Sequence, residues 1–136
     1  MSDAPPCPED PTLRITLLPR DTNAAGSIFG GILLAQIDLA GVQEAHKVNP
    51  AVAVVTVAME KVVFLEPVYV GDLVSFYTTI LKVGRTSVTV HVDVRVRRRF
   101  HPEQEIKVTE AEVVYVAVGD DRRPVPIREA TGGAGN

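Results

Sequence analysis

Asp38 is the residue whose position most needs a chemical reason. Its one-turn neighbours, Leu34, Ala35, Gly41 and Val42, are all small or apolar, and an ionised carboxylate among such side chains is costly unless it is paired or put to use. Two readings fit the residue types: a general base or nucleophile, or a structural carboxylate matched by an Arg or Lys from another element. Eight residues earlier, Gly30-Gly31 opens the same run. The first turn of a helix carries unpaired N–H groups and the positive end of the helix dipole, so it can hold an anion, including the oxyanion of a collapsing carbonyl. Two glycines there could equally serve only to bring a helix close to its neighbour. Asn23, just before them, could orient a water or a carbonyl, although Asn is common in turns for conformational reasons alone. Gly84-Arg85-Thr86-Ser87 reads first as a hairpin turn, yet an Arg with two hydroxyls can bind phosphate through charge-assisted hydrogen bonds. Arg95, Arg97, Arg98 and Arg99 add a basic stripe nearby in sequence, whose plain reading is a solvated strand edge.

Other chemistries lack support. His46, His91 and His101 fall at a helix end, on the polar face of a strand and in a loop, without metal-ligand spacing, so no metal site is expected. Neither a Gly-x-Ser-x-Gly motif nor a Gly-rich phosphate loop occurs, which removes serine-triad hydrolysis and nucleoside triphosphate chemistry. A lone cysteine, Cys7, cannot form an internal disulfide. The formal net charge of -3 gives no overall basic field to draw the chain onto nucleic acid or acidic membranes. The opening Met-Ser-Asp-Ala-Pro-Pro lacks the features of a signal peptide, and no stretch approaches the ~18 apolar residues of a membrane span. A cytoplasmic protein with no membrane or nucleic-acid partner is expected.

The elements that must position these residues follow from periodicity. Leu13 to Leu18 is a short strand candidate, and Asp21 to Gly26 is a turn cluster. From Ile28 to near Lys47 apolar residues occupy nearly every face of a 3.6-residue repeat, the mark of a buried helix. Four β-rich runs follow: Val52 to Phe64, Leu73 to Val83, Ser87 to Arg99 and Lys107 to Val118. In the third, Val88, Val90, Val92, Val94 and Val96 alternate with polar residues, so one face is apolar and the other meets water or a polar partner. The connections, including His101 to Glu105, are too short for crossover helices, which makes the sheet mainly antiparallel. This order predicts an α+β domain, a five-stranded sheet curled around one long central helix. With 46% hydrophobic residues and no Trp, its core must be aliphatic. One domain over 13–118 is expected between polar tails, 1–12 and 119–136, both expected to be mobile.

The blocks Asp21-Thr22-Asn23-Ala24-Ala25-Gly26-Ser27-Ile28-Phe29-Gly30-Gly31 and Gln36-Ile37-Asp38-Leu39-Ala40-Gly41 resemble the motif of the hotdog-fold acyl-CoA hydrolases, which include the cytosolic (brain-type) acyl-CoA thioesterases and their bacterial relatives. The resemblance continues through Val54-Val55-Thr56-Val57, Val63 to Val68, Val70-Gly71-Asp72, Gly84 to Val88 and Tyr115 to Val118. It implies a hotdog fold that hydrolyses an acyl-CoA thioester to a free acid and CoA with no metal or redox cofactor, CoA being part of the substrate. Asp38 matches the family's catalytic acid, Asn23 the asparagine that joins it, and Gly30 or Gly31 the backbone donor that polarises the carbonyl. Arg85, Thr86 and Ser87 match the segment near which CoA phosphates are held. The resemblance further implies a homodimer joined edge to edge, with Asp38 and Gly30 of one protomer facing Asn23 of another, and three dimers forming a hexamer. The competing enoyl-CoA hydratase chemistry of this fold needs a closely spaced Asp and His, and no histidine lies between Asp21 and Glu44. The non-enzymatic alternative is an acyl-CoA-binding module without turnover.

Overall fold

The structure is a computed structural model and describes residues 5–128. Five strands and one long helix succeed each other: β1 (Leu13–Ile15), a 3-10 turn at Pro19–Asp21, α1 (Gly30–His46), β2 (Ala53–Phe64), β3 (Leu73–Val83), β4 (Ser87–Arg98) and β5 (His101–Val118). All pair antiparallel in one sheet of order β1-β3-β4-β5-β2. The alternation in β4 sets the layering, since Val88, Val90, Val92, Val94 and Val96 are each 0% exposed and face the helix. From α1 the buried partners are Leu33, Ile37, Ala40, Gly41 and Ala45. This is the expected α+β arrangement. No described helix is long and apolar enough to cross a membrane.

The sheet order also fixes the surroundings of the helix start. β2 is an edge strand while β3 lies three strands away, a step of about 14 Å at sheet spacing, so residues 65–72 must cross the end of the sheet. They do so beneath the opening of α1, where the Ile28 amide donates to the Val68 carbonyl at 2.8 Å. Arg98 anchors this crossing by donating to the Pro67 carbonyl at 2.9 Å and to the buried Asp72 carboxylate at 2.5 Å.

Four expectations need correction. The helix, expected to be buried, is not buried all round: Gly31, Ala35, Leu39 and Gln43 form an exposed stripe, because one sheet wraps only one side of it. β5 begins at His101, since the run 101–105, expected to be a loop, continues the ladder with β4: Glu105 stands opposite Arg97 and His101 opposite Arg98, and Arg97 donates to the Pro102 carbonyl at 2.7 Å. The tail expected to be mobile over 119–136 is held as far as residue 127. The Val125 amide donates to the Ala117 carbonyl and the Ile127 amide to the Arg85 carbonyl, both at 2.9 Å, and Ile127 is wholly buried. At the other end, the Thr12 amide donates to the Phe76 carbonyl at 2.8 Å, and Cys7 lies close enough to Asp93 and Arg95 to feel their charges, with burial the main influence pushing its thiol up. The polar partner of the β4 outer face is thus in part the chain's own N-terminal stretch. Residues 1–4 and 129–136 lie outside the described residues.

Candidate active site

The turn before α1 is built around Asn23. Its Oδ1 accepts the amides of Ala25 at 2.9 Å and Ser27 at 3.2 Å, and its Nδ2 donates to Ser27 Oγ at 3.1 Å. Its own amide donates to the Ser27 carbonyl at 2.7 Å, and Gly26 completes the turn with a φ of 89°, which favours glycine. Of the two donors on an amide nitrogen, Ser27 takes one, leaving the other available. The conformational role of Asn23 is therefore real and does not exhaust the side chain.

At the helix start, the Phe29 amide donates to the Asp21 carbonyl at 2.9 Å. The amides of Gly30 and Gly31 have no acceptor among the described residues, and no side chain caps this end. Beside them opens a cleft of about 340 Å³ lined by Ser27, Ile28, Gly30, Leu33 and the segment Phe64 to Val68. Gly30 is a close-approach glycine: a Cβ there would stand 3.2 Å from the Phe64 ring.

Asp38 does not line this cleft. It is half-buried, and its Oδ1 accepts from Thr56 Oγ1 at 2.7 Å and from the Tyr115 hydroxyl at 3.1 Å. The same hydroxyl lies 2.9 Å from the Asp38 carbonyl oxygen. No Arg or Lys pairs with it among the described residues, so the structural ion-pair reading of this acid is not what the structure shows. Thr56 and Tyr115 were not identifiable from sequence as partners. They are direct cross-strand neighbours, and the extra residue Val57 in the register just after Thr56 is a bulge, a device that re-aims side chains near sites.

Eight residues separate Gly30 from Asp38, about 12 Å of rise along the helix. One carbonyl cannot touch both, because an oxyanion donor and an attacking group each approach it to about 3 Å. Within one chain, Asn23, Gly30 and Gly31 form one cluster and Asp38, Thr56 and Tyr115 another, and no hydrogen bond among the described residues joins them.

The hairpin turn carries Arg85 exposed, with its side chain unpaired among the described residues, and Thr86 and Ser87 half-buried. Arg97, Arg98 and Arg99 do not extend it, since they stand at the other end of β4, about 36 Å away at strand rise. Arg95 pairs with Asp93 at 3.0 Å on the outer face. Among the described residues no group of three His, Cys, Asp or Glu side chains is placed to hold a metal ion.

Known proteins resemble this arrangement. The profile of the thioesterase superfamily matches residues 25–99. Acyl-CoA thioester hydrolase YciA of Salmonella typhimurium is 42% identical over 117 residues, 85% of this chain and 87% of that one. Cj0915, a hexameric hotdog fold thioesterase of Campylobacter jejuni, superposes with a TM-score of 0.80 at 46% identity, covering 86% of this chain and 89% of its own. An acyl-CoA hydrolase from Staphylococcus aureus, solved in complex with butyryl coenzyme A, coenzyme A and coenzyme A disulfide, gives a TM-score of 0.77 at 28% identity, covering 85% of this chain and 70% of its own. A helix cradled by one antiparallel sheet, matched over most of its length by such enzymes, makes this chain a hotdog-fold member of the thioesterase superfamily.

Proposed function

We propose that the protein hydrolyses acyl-CoA thioesters to a free carboxylic acid and CoA, at sites that each take one cluster from each of two protomers. The observation that carries this reading is the separation along α1: unpaired amides at Gly30 and Gly31, and a poised carboxylate about 12 Å further on, make two incomplete halves. A two-fold axis that sets the cleft of one chain against Asp38 of its partner completes both halves at once. The single chain leaves uncovered what such a dimer would bury, namely the stripe Gly31, Ala35, Leu39 and Gln43 and the edge strand β2 with exposed Val55 and Val57.

In the step so drawn, Asp38 takes a proton from water as the water oxygen bonds to the thioester carbon, or attacks that carbon itself. The carbonyl oxygen becomes an oxyanion facing the Gly30 and Gly31 amides, and the free Asn23 donor holds the carbonyl or the water in line. Collapse breaks the carbon–sulfur bond. In the water route the CoA thiolate leaves with the proton that Asp38 had taken. The anhydride that forms in the direct route is then opened by water. Label from heavy-oxygen water entering Asp38 marks direct attack with the anhydride opened at the Asp38 carbon, whereas label in the product acid alone fits the base or an anhydride opened at the substrate carbon. No metal or redox cofactor has a part in either route.

Arg85, Thr86 and Ser87 suit the phosphates of CoA: β4 sets Val88 opposite Tyr115, so the turn extends the Asp38 side of each site. The hexamer described for the Campylobacter thioesterase suggests three such dimers here.

Mixing subunits tests the two-chain site. Asp38→Asn and Asn23→Ala homo-oligomers should each release CoA from acyl-CoA at a small fraction of the native rate. Refolded together in equal amounts, they should recover about one quarter of native activity, because half the dimers are mixed and each mixed dimer has one intact site of two. No recovery above the separate proteins would overturn the shared site, and acyl-CoA binding without turnover by the native protein would replace the enzyme with a binding module.

A further inference from the structure

The Asp38 carboxylate has two oxygens, and the structure treats them differently. Oδ1 accepts from both Thr56 and Tyr115, whereas Oδ2 has no partner among the described residues. Tyr115 is 0% exposed and fixed on β5 between its cross-strand neighbours Thr56 and Val88. Burial first, then the nearby Asp38 charge, hold its phenol well above the usual range, so it stays protonated and can only act towards Asp38 as a donor. Its reach depends on a glycine: a Cβ at Gly41, one turn after Asp38, would stand 2.3 Å from the Tyr115 hydroxyl. A mid-helix glycine is a poor helix former, and here it leaves room for the Tyr115 hydroxyl to meet both the backbone and the side chain of Asp38.

We propose that Tyr115, admitted to the helix by Gly41, is a positioning residue that pins Oδ1 of Asp38 and leaves Oδ2 as the oxygen that reacts. The inference rests on the reading of Asp38 as the acting carboxylate and goes beyond it by assigning the atom and the residue that selects it. A free carboxylate exchanges its oxygens by rotation about its terminal torsion. Thr56 donates to Oδ1 at 2.7 Å, and the single Tyr115 proton is shared between Oδ1 at 3.1 Å and the Asp38 carbonyl at 2.9 Å, so rotation gives up the Thr56 bond and the Tyr115 share, and Oδ2 is presented to the incoming water or carbonyl before substrate arrives. Tyr115 itself touches no substrate atom.

Tyr115→Phe conserves the ring and removes the hydroxyl. The expected result is a kcat lower by about tenfold or more, the scale of one hydrogen bond to a charged group, with KM within about twofold. In an Asp38→Asn background, followed by single-turnover hydrolysis at excess enzyme, the same substitution should change the residual rate little, because the group it positions is gone. Thr56→Val, on the exposed edge strand, removes the second donor without touching the core and should repeat the pattern; together the two should lower kcat more than either alone. Native kcat in a folded Tyr115→Phe protein overturns the proposal, as does an equal fold-loss with and without Asp38, which marks a purely structural hydroxyl. Should Tyr115→Phe not fold, native kcat in Thr56→Val overturns the pinning of Oδ1. Failure of the underlying reading looks different: Asp38→Asn alone would then turn over at the native rate.

Discussion

The two halves of the proposed site are built by different means. The Asn23–Gly31 half is local and made of backbone: its functional groups are amides, its frame is a turn closed by its own asparagine, and every member lies within nine residues of sequence. The Asp38 half is long-range and made of side chains, drawing Thr56 from an edge strand and Tyr115 from the middle of the sheet, 18 and 77 residues from the carboxylate they hold. A backbone half tolerates many side-chain changes but not a change of shape. A side-chain half tolerates modest shape changes but not the loss of one atom.

The sharpest way to break that contrast is to add a methyl group to the backbone half. Gly30→Ala keeps every amide, yet its Cβ would stand 3.2 Å from the Phe64 ring, so that ring, which lines the cleft proposed for the thioester, must give way by a few tenths of an ångström. We expect kcat to fall by about tenfold, since reacting groups must be held close to their productive geometry, while the thermal midpoint stays level or rises, since alanine is the better helix former. A native rate in steady-state assays would mean that the cleft is not where the carbonyl sits.

A smaller effect is expected at the rim of the side-chain half. Arg85→Ala should raise KM several-fold with little change in kcat, and the difference should shrink as salt is added, because the guanidinium is exposed and screened. A KM indifferent to both the substitution and ionic strength would place the CoA phosphates elsewhere.

The smallest effect serves as a baseline for both halves. His91 points to the outer face of the sheet, away from either cluster, with Glu110 at 3.6 Å and its Nε2 otherwise unpartnered. Burial pushes it below its ordinary value of 6.5, against the opposing carboxylates of Glu110, Asp93 and Glu112 and with help from Lys107. The unfolded chain therefore binds the proton first as pH falls, so stability holds above the ordinary value and declines below it. The pH dependence of the melting midpoint between about pH 7.5 and about pH 5 should flatten in His91→Gln, and kcat should not change. A parallel pH dependence in the two proteins would assign the acid sensitivity to other groups.

The same contrast explains what the sequence could reveal. The turn cluster and Gly30-Gly31 are contiguous, so their type and order announce them. β3 runs from Leu73 to Val83 as expected because apolar residues dominate it. The partners of Asp38 could not be read, since pairing Thr56 with Tyr115 requires knowing that β2 lies beside β5, and the bulge at Val57 shifts the register at that point. The start of β5 was hidden by Pro102, Glu103 and Glu105, whose strand character comes from pairing with β4. The held segment 119–127 was masked by its Gly, Asp and Pro content; the aliphatic pair Val125 and Ile127 was the one available signal, and it marks the residues that pack. The exposed stripe of α1 looked buried for a simpler reason: apolarity reports that a surface is covered, without saying by which chain.

The distance between the two clusters on one helix has a consequence for inheritance. If neither cluster works with its own chain, a duplicated gene could lose Asp38 from one copy and Asn23 from the other, and a pair of the two products would still hold one complete site. The unused position would then be free of catalytic selection and open to a different ligand.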